Sequence, residues 1–151
     1  MKNNLVIILF LVLIFATIGV KIAKLDKDTS SDGAKYVTVQ LNTVDLKLKV
    51  LDTDTLRIKG LSDSISLPEN EGMLFVFDRP GYHGIWMKDM KYPIDIAWLD
   101  QFRKVIHIER NISPDTYPQV FLPPTEDVYV IEVNSNFLEK HGIKIGDEIN
   151  F

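Results

Sequence analysis

Residues 94–109 read IDIAWLDQFRKVIHIE, and this stretch decides the fold class. On both sides of Gln101, isoleucines recur at every second position, which is the period of a half-buried β-strand. A hairpin that turns at Gln101 pairs Ile96 with Ile106 and gathers the four isoleucines of the stretch on one face. The stretch therefore predicts two antiparallel strands that contribute one face to a hydrophobic core.

The same pairing places Asp95 opposite His107, on the face that points away from the core. A carboxylate that orients an imidazole is the arrangement of a general acid–base pair, so both residues are candidates for catalysis. The chain has no Gly-x-Ser-x-Gly motif to supply a nucleophile beside them. The alternative interpretation is a partly exposed ion pair without a catalytic role.

The rest of the chain from Tyr36 onward has the same strand-like character. Short apolar runs, many of them alternating with polar residues, are separated by turn-forming residues such as Asn42-Thr43. They predict strands at 37–41, 44–50, 73–77, 85–88, 94–99, 104–109 and 128–133, and a terminal one that ends at Phe151.

Two short helices are predicted between the strands. The first begins at Thr53 or Asp54, whose side chains suit a helix N-cap, and ends at Lys59 before Gly60. The second runs from Asn134 to His141. Because no strand–helix–strand repeat is visible, the order of elements predicts a mainly β fold, either an antiparallel sandwich or a jelly-roll-like distorted barrel.

The chain begins with an apolar segment, Leu5 to Val20, that contains neither a charge nor a proline. A helix extended to Ala23 is about 28 Å long, enough to span a bilayer when the lysine stems reach the headgroups. We predict a tail at 1–4, a transmembrane or signal-anchor helix at 5–23, a flexible tether at 24–35 and a β domain at 36–151. The alternative is a cleaved signal peptide, although no small-x-small cleavage site follows the apolar run.

The orientation of the anchor follows from two opposing signals. Lysines are slightly more numerous after the apolar segment than before it, which favours a cytoplasmic domain. A very short tail before an export-type apolar run favours delivery of the following domain to the outside. We predict a single-pass protein of the cell membrane with its C-terminal domain outside the cytoplasm, with secretion after signal cleavage as the alternative.

Composition excludes several classes of function. Cysteine is absent, which excludes disulfides, a zinc–thiolate site and a thiol nucleophile. The net charge is −4, and residues 1–30 carry four Lys against two Asp, so residues 31–151 carry −4 − 2 = −6. Because nucleic-acid-binding domains normally have a basic face, such a partner is not expected. The three histidines lie in separate segments without helical spacing, so no metal site or cofactor is predicted.

Trp86-Met87-Lys88 is the most distinctive group for binding. On a strand, Trp86 and Lys88 point to the same side. The indole and the ammonium group then form an aromatic and cationic surface beside Tyr82 and His83. The alternative is that Trp86 packs in the core and Lys88 shields an edge strand.

Two further residues complete the set of binding candidates. Tyr117 lies in the proline-rich stretch 111–127, which predicts a long extended loop that either binds a partner or covers an open sheet edge. Arg57, on the first helix, offers a planar fork for a carboxylate or phosphate, or forms an internal ion pair with an acid such as Glu132. The candidate ligand-binding residues are therefore Arg57, Tyr82, His83, Trp86, Lys88 and Tyr117.

Several segments, in a consistent order, resemble the domain-of-unknown-function family DUF192 over about residues 37–151. They are TDTLRIKGL at 53–61, LPENEGMLFVF at 67–77, WMK at 86–88, PIDI at 93–96, YVIEV at 129–133 and GIKIGD at 142–147. The resemblance implies a small, mainly β domain of sandwich or jelly-roll type, often behind an export signal and with no established reaction.

These observations lead to three hypotheses for function. The first is a membrane-tethered domain outside the cytoplasm that binds a small ligand or an envelope protein through Tyr82–Lys88, Asp95, His107 and the loop 111–127. The second is an envelope-associated hydrolase that uses Asp95 and His107. The third is a structural accessory domain. A concave pocket that brings Asp95, His107 and a third polar group into contact would favour the enzyme.

Overall fold

A computed structural model describes residues 34–41 and 44–151, and this part of the chain is mainly β. Its strands are β1 Tyr36–Leu41, β2 Val44–Leu51, β3 Glu71–Gly81, β4 Ile85–Trp86, β5 Ile94–Leu99, β6 Val105–Ile112, β7 Val120–Phe121 and β8 Asp127–Asn134. Its two short helices are α1 Asp54–Lys59 and α2 Phe137–Lys140, and a 3-10 turn spans Pro114–Thr116. The prediction of a mainly β domain with two short helices is confirmed.

Six strands form one sheet in the order β1-β2-β3-β8-β5-β6, and β4 and β7 form a separate two-stranded ribbon. Neighbours in the large sheet are antiparallel except β2 and β3, which are parallel. Parallel neighbours need a crossover connection, and residues 52–70 with α1 supply it. The predicted antiparallel sandwich or jelly-roll-like barrel is therefore wrong: the sheet is mixed and open, and it contains one strand–helix–strand unit.

Both faces of the large sheet are covered by other parts of the chain. One face packs against α2 and the C-terminal segment, including Phe137, Leu138 and Ile149. The other face packs against the crossover and the ribbon, including Leu61 and Ile85. Since β5 is covered on both sides, all six of its residues are buried.

The hairpin of β5 and β6 exists, but its register differs from the prediction. Trp98, rather than Asp95, lies opposite His107. Register shifts near both ends of the pairing add extra residues to β6, and an alternating apolar pattern does not reveal such bulges. Ile108 consequently lies opposite Ala97 and packs on the α2 side, whereas the other three isoleucines of the hairpin pack on the opposite face.

Asp95 and His107 are therefore not a pair. Asp95 lies opposite Val133 on β8 and is fully buried. His107 Nε2 lies 3.1 Å from a carboxylate oxygen of Glu109, and its ring centroid lies 5.3 Å from that of Trp98. The prediction of an Asp95–His107 acid–base pair is wrong because the hairpin turns around Phe102 rather than Gln101, which shifts the pairing by two positions, and the bulge beside Trp98 shifts His107 by one more.

The Asp95 carboxylate instead binds three backbone N–H groups. Its Oδ1 accepts from Asn111 at 2.9 Å and from Asn136 at 3.1 Å, and its Oδ2 accepts from Leu138 at 3.1 Å. Asn111 and Asn136 have φ angles of 51° and 66°, in the left-handed region that asparagine tolerates better than most residues. Asp95 thereby provides a hydrogen-bond acceptor for free backbone N–H groups at a bulge of β6 and in the first turn of α2. The Asn136 side chain makes no capping bond to that turn.

Other element bounds differ from the prediction near the ends of the elements. The second helix spans 137–140 rather than 134–141, because Asn134 still belongs to β8. The strand predicted at 85–88 ends at Trp86. The predicted C-terminal strand forms only an isolated bridge between Lys104 and Glu148.

The predicted N-terminal tail, the predicted membrane helix and nearly all of the predicted tether lie outside the described residues, as does the predicted turn at 42–43. Within the part of the chain that the structure describes, no helix combines the length and apolar character needed to cross a bilayer.

We predict that Asp95→Asn lowers the free energy of unfolding by about 3 kcal/mol, because the amide cannot accept all three N–H bonds of the buried carboxylate. Asp45→Asn changes an exposed acid on β2 and is the matched control, with an expected change below about 0.5 kcal/mol. Urea unfolding of both variants provides the measurement. Equal midpoints for the two variants would contradict the structural role of Asp95.

Candidate functional site

Helix α1 is formed by local signals and forms one wall of the candidate site. Thr53 is its N-cap and accepts the Leu56 N–H, and Gly60 ends the helix with a φ angle of 47°. The Arg57 guanidinium donates to Asp54 Oδ1 and to the Val76 carbonyl oxygen, both at 2.6 Å. Arg57 therefore clamps α1 to β3, and its acid partner is Asp54 rather than the Glu132 considered from the sequence.

The ribbon of β4 and β7 forms the opposite wall. Ile85 pairs with Phe121 and points into the core, whereas Trp86 pairs with Val120 and points outward. Gly84 permits this close packing, because a Cβ at its position would lie 2.5 Å from a Val120 methyl group. The proline-rich loop thus covers a face of the sheet, and it does so by adding a strand to β4.

A cavity of about 60 Å³ lies between these walls. The volume has room for a group of a few non-hydrogen atoms, since one water occupies about 30 Å³ in the liquid. The residues that line it come from α1 and the turn after it, from β3, from the ribbon and from β8. They are Arg57, Ile58, Lys59, Gly60, Leu61, Ser62, Phe75, Gly84, Ile85, Trp86, Met90 and Glu132.

Glu132 is the buried acid of this cavity. It lies on β8 between Met73 of β3 and Ile96 of β5, on the face that α1 covers. Its Oε2 is buried and has no hydrogen-bond partner among the residues that the structure describes. Burial raises the pKa of the Glu132 carboxyl to about 8, so the group is mostly uncharged at neutral pH.

Trp86 lies at the rim of the cavity and is 49% exposed. Its ring makes an edge contact with Tyr117 at a centroid distance of 6.1 Å, and Lys88 Nζ lies 5.9 Å from its centroid. The structure therefore brings together three of the predicted binding residues. Because half of its surface is accessible, Trp86 is not the core residue of the alternative interpretation.

His83 belongs to a different arrangement nearby. The His83 N–H donates to Asp127 Oδ1, and His83 Nδ1 lies 3.0 Å from Asp127 Oδ2. The imidazole stacks on Phe77 at 3.5 Å, and the Trp98 indole donates to the His83 carbonyl oxygen at 2.8 Å. Burial raises the pKa of the Asp127 carboxyl, while the hydrogen bonds from His83 oppose that rise. The pair fixes the connection between β3 and β4.

The predicted residues thus fall into three groups. Arg57, Trp86, Lys88 and Tyr117 border or line the cavity, whereas Tyr82 is an exposed residue beside the His83 connection. Asp95 and His107 do not line the cavity. Among residues 34–41 and 44–151, no group of three His, Asp or Glu side chains has the geometry to hold a metal ion.

Sequence analysis missed Glu132 and Asp127 as site residues. Glu132 has a sequence signal, since it is the single charge inside the apolar run YVIEV at 129–133, and such a residue in a buried strand needs a reason. Asp127 has no comparable signal, because an acid that follows a polar loop is ordinarily exposed.

Comparison with known proteins places this fold in a family. A family model named DUF192 and described as "Uncharacterized ACR" matches residues 37–151. The chain belongs to the DUF192 family. The resemblance stated from the sequence is thereby confirmed over the same residues.

Two solved structures are similar to this DUF192 domain. A protein of unknown function from Novosphingobium aromaticivorans has 26% sequence identity and a TM-score of 0.73, over 80% of this chain and 89% of that one. A proposed transcription regulator from Sinorhizobium meliloti has 22% identity and a TM-score of 0.69, over 75% and 89%. At that identity the second likeness shows the fold alone. A comparison with curated proteins finds no match.

We predict that Glu132→Gln makes the stability of this DUF192 domain less sensitive to pH. The folded protein retains the Glu132 proton up to about pH 8, whereas the unfolded chain releases it near its ordinary pKa. Stability of the wild type therefore falls between these two values as pH rises, by on the order of 4 kcal/mol.

Urea unfolding of both proteins at pH 5 and pH 8 gives the measurement. The free energy of unfolding of the glutamine variant, relative to that of the wild type, should increase from pH 5 to pH 8. Every other titrating group is present in both proteins, so its contribution cancels in this difference. Parallel stability curves would show that the carboxyl of Glu132 is not desolvated.

We also predict that Asp127→Ala lowers the free energy of unfolding by about 3 kcal/mol, because the His83 N–H and imidazole lose their buried partner. Glu126→Ala removes the neighbouring exposed acid and should change stability by less than about 0.5 kcal/mol. Thermal unfolding compares the two variants. A similar shift in both would mean that His83 is held by other contacts.

Proposed function

We propose that this protein is a membrane-tethered binding module that takes a small ligand into the cavity between α1 and the β4–β7 ribbon. The observation that carries the proposal is that Glu132 lines a cavity whose rim bears the exposed ring of Trp86, while its buried Oε2 has no hydrogen-bond partner among the described residues. A buried polar atom without a partner costs about 1–3 kcal/mol. A ligand group that fills the cavity and pairs with Glu132 removes that cost.

The composition of the cavity supports ligand binding. Most small-molecule sites are concave and largely apolar, with a few polar groups that orient the ligand. Leu61, Phe75, Ile85 and Met90 supply apolar surface here, and the polar side chains are those of Arg57, Lys59, Ser62 and Glu132. Because the cavity accepts only a few atoms, it recognises one functional group, and the rest of the ligand extends past Trp86.

The tether and location are part of the same proposal. The apolar run from Leu5 to Val20, the very short tail before it and the polar segment 24–35 favour an anchored domain outside the cytoplasm. The charge of −6 on residues 31–151 argues against extending the transcription-regulator description of the Sinorhizobium protein to this chain.

The first test is a thermal-shift screen of small envelope metabolites against the full chain in detergent. For each compound that raises the melting temperature, Trp86→Ala should weaken binding about tenfold or more, because it removes an aromatic wall of the site. Phe102→Ala is the matched control, since Phe102 is 72% exposed in the β5–β6 turn. Equal binding by both variants would place the ligand elsewhere. A screen without any hit would favour the structural accessory hypothesis.

The second test concerns the tether. We expect the full-length protein in the membrane fraction, with residues 36–151 accessible to protease added outside intact spheroplasts. N-terminal sequencing should find the apolar segment still attached. Recovery of a soluble chain that starts after residue 20 would contradict the tether and leave the binding site untouched.

A further inference from the structure

We propose that the Glu132 cavity recognises an uncharged amide group, such as a carboxamide or a peptide-like N-acyl group, of the bound ligand. This inference rests on the proposed ligand-binding function and names the chemistry of the ligand. Its starting point is geometric: Glu132 is the acid in the cavity lining, and its Oε2 is buried without a partner among the described residues.

A cationic ligand fits this cavity poorly. Arg57 and Lys59, both on α1, are among the lining residues, so a second positive charge would enter a site already bordered by cations. Transfer of an ammonium ion into this small cavity also requires loss of its hydration. An ionised Glu132 would be needed to compensate, whereas burial favours the uncharged form of this carboxyl.

An anionic ligand is also disfavoured. Arg57, the guanidinium in the lining, already donates to Asp54 and to the Val76 carbonyl oxygen. A carboxylate would need to displace these bonds, to draw the exposed Lys59 ammonium out of water, or to rely on the single hydrogen bond that a protonated Glu132 donates. Ser62, the hydroxyl in the lining, already donates to the Lys88 carbonyl oxygen, and the side chains of Leu61, Phe75, Ile85 and Met90 offer no donor.

An uncharged amide matches the hydrogen-bonding groups of a protonated Glu132 carboxyl. A protonated carboxyl donates one hydrogen bond and accepts others, and an amide accepts at its oxygen and donates from its nitrogen. The two groups can therefore pair through two hydrogen bonds without burying a net charge. The planar amide has few non-hydrogen atoms, which agrees with a volume of about 60 Å³.

The protonation of Glu132 depends on groups from several elements. Arg57 and Lys59 face the cavity from α1. Burial raises the pKa of Tyr92, before β5, and the charge of Glu132 adds to that rise. Glu109 of β6 lies on the same face of the sheet, across Ile96 from Glu132. Because Glu132 alone among these lines the cavity as an unpartnered acid, ligand binding should follow its ionisation.

The test uses the full chain in detergent and three probes of similar size: acetamide, methylammonium and acetate. Titrations followed by the carbon-13 signal of the Glu132 carboxyl measure dissociation constants at pH 6.5 and pH 9. We expect acetamide to bind at pH 6.5 at least about tenfold more tightly than either ion. Its binding should weaken roughly tenfold at pH 9, because only the protonated fraction of Glu132 is competent.

Three variants separate the hydrogen bonding of the Glu132 carboxyl from the space that its side chain fills. Chemical-shift changes of backbone amides measure binding to these variants. Glu132→Gln keeps a donor and an acceptor, so it should retain acetamide binding and lose the pH dependence. Glu132→Met keeps the length of the side chain without polar atoms, and it should bind acetamide at least about tenfold more weakly. Glu126→Gln changes an exposed acid and should behave as the wild type.

The outcomes distinguish this inference from the proposed function. Tighter binding of methylammonium or acetate, dependent on Glu132, would overturn the amide assignment and leave a ligand-binding cavity. Failure of all three probes, with hits in the metabolite screen that depend on Trp86, would likewise overturn only the amide assignment. Failure of the probes and of the screen would overturn both, and the cavity would then hold ordered water.

Discussion

Burial of the large sheet on both faces is the constraint on which the rest of this structure depends. A sheet of this size has two apolar surfaces, and each must be removed from water by chain outside the sheet. Only two short helices are available among the described residues, so the crossover, the proline-rich loop and the C-terminal segment cover the remaining area. The cavity beside Glu132 lies where two of these covers, α1 and the β4–β7 ribbon, meet over the sheet.

Local patterns predicted the elements better than their arrangement. Strand β5 has the predicted bounds, and α1 has the predicted cap and end, because hydrophobic period and capping chemistry act within a few residues. The β5–β6 register failed because the hairpin turns around Phe102 and has a bulge beside Trp98, and the alternating sequence pattern reveals neither. A second bulge, beyond His107, contains the left-handed Asn111, whose N–H bonds to Asp95. The parallel pairing of β2 and β3 also lacks a local signal. Likewise, the sequence indicated Trp86, Lys88 and Tyr117 as binding residues. It did not indicate Glu132, because this acid comes from β8, which is distant in the sequence.

Three buried acids show how differently one fold treats carboxyl groups. Asp95 accepts three backbone N–H groups, and Asp127 accepts two hydrogen bonds from His83. Their burial is compensated, which is the usual condition for a polar group in a core. Within residues 34–41 and 44–151, no group bonds to Oε2 of Glu132, although Arg57 lines the same cavity. Since the chain satisfies the other two acids fully, the exception at Glu132 requires a specific explanation.

Loose packing is not that explanation. Directly beside Glu132 on the sheet, a Cβ at Gly72 would lie 2.6 Å from the Glu132 carbonyl oxygen and 2.8 Å from a Leu48 methyl group. Strands β3 and β8 are therefore in close contact at this point, which holds the backbone of Glu132 in place. Arg57 in turn is held by Asp54 and Val76. With Arg57 engaged by these two partners, Oε2 of Glu132 has no partner among the described residues, and the proposed ligand group would supply one.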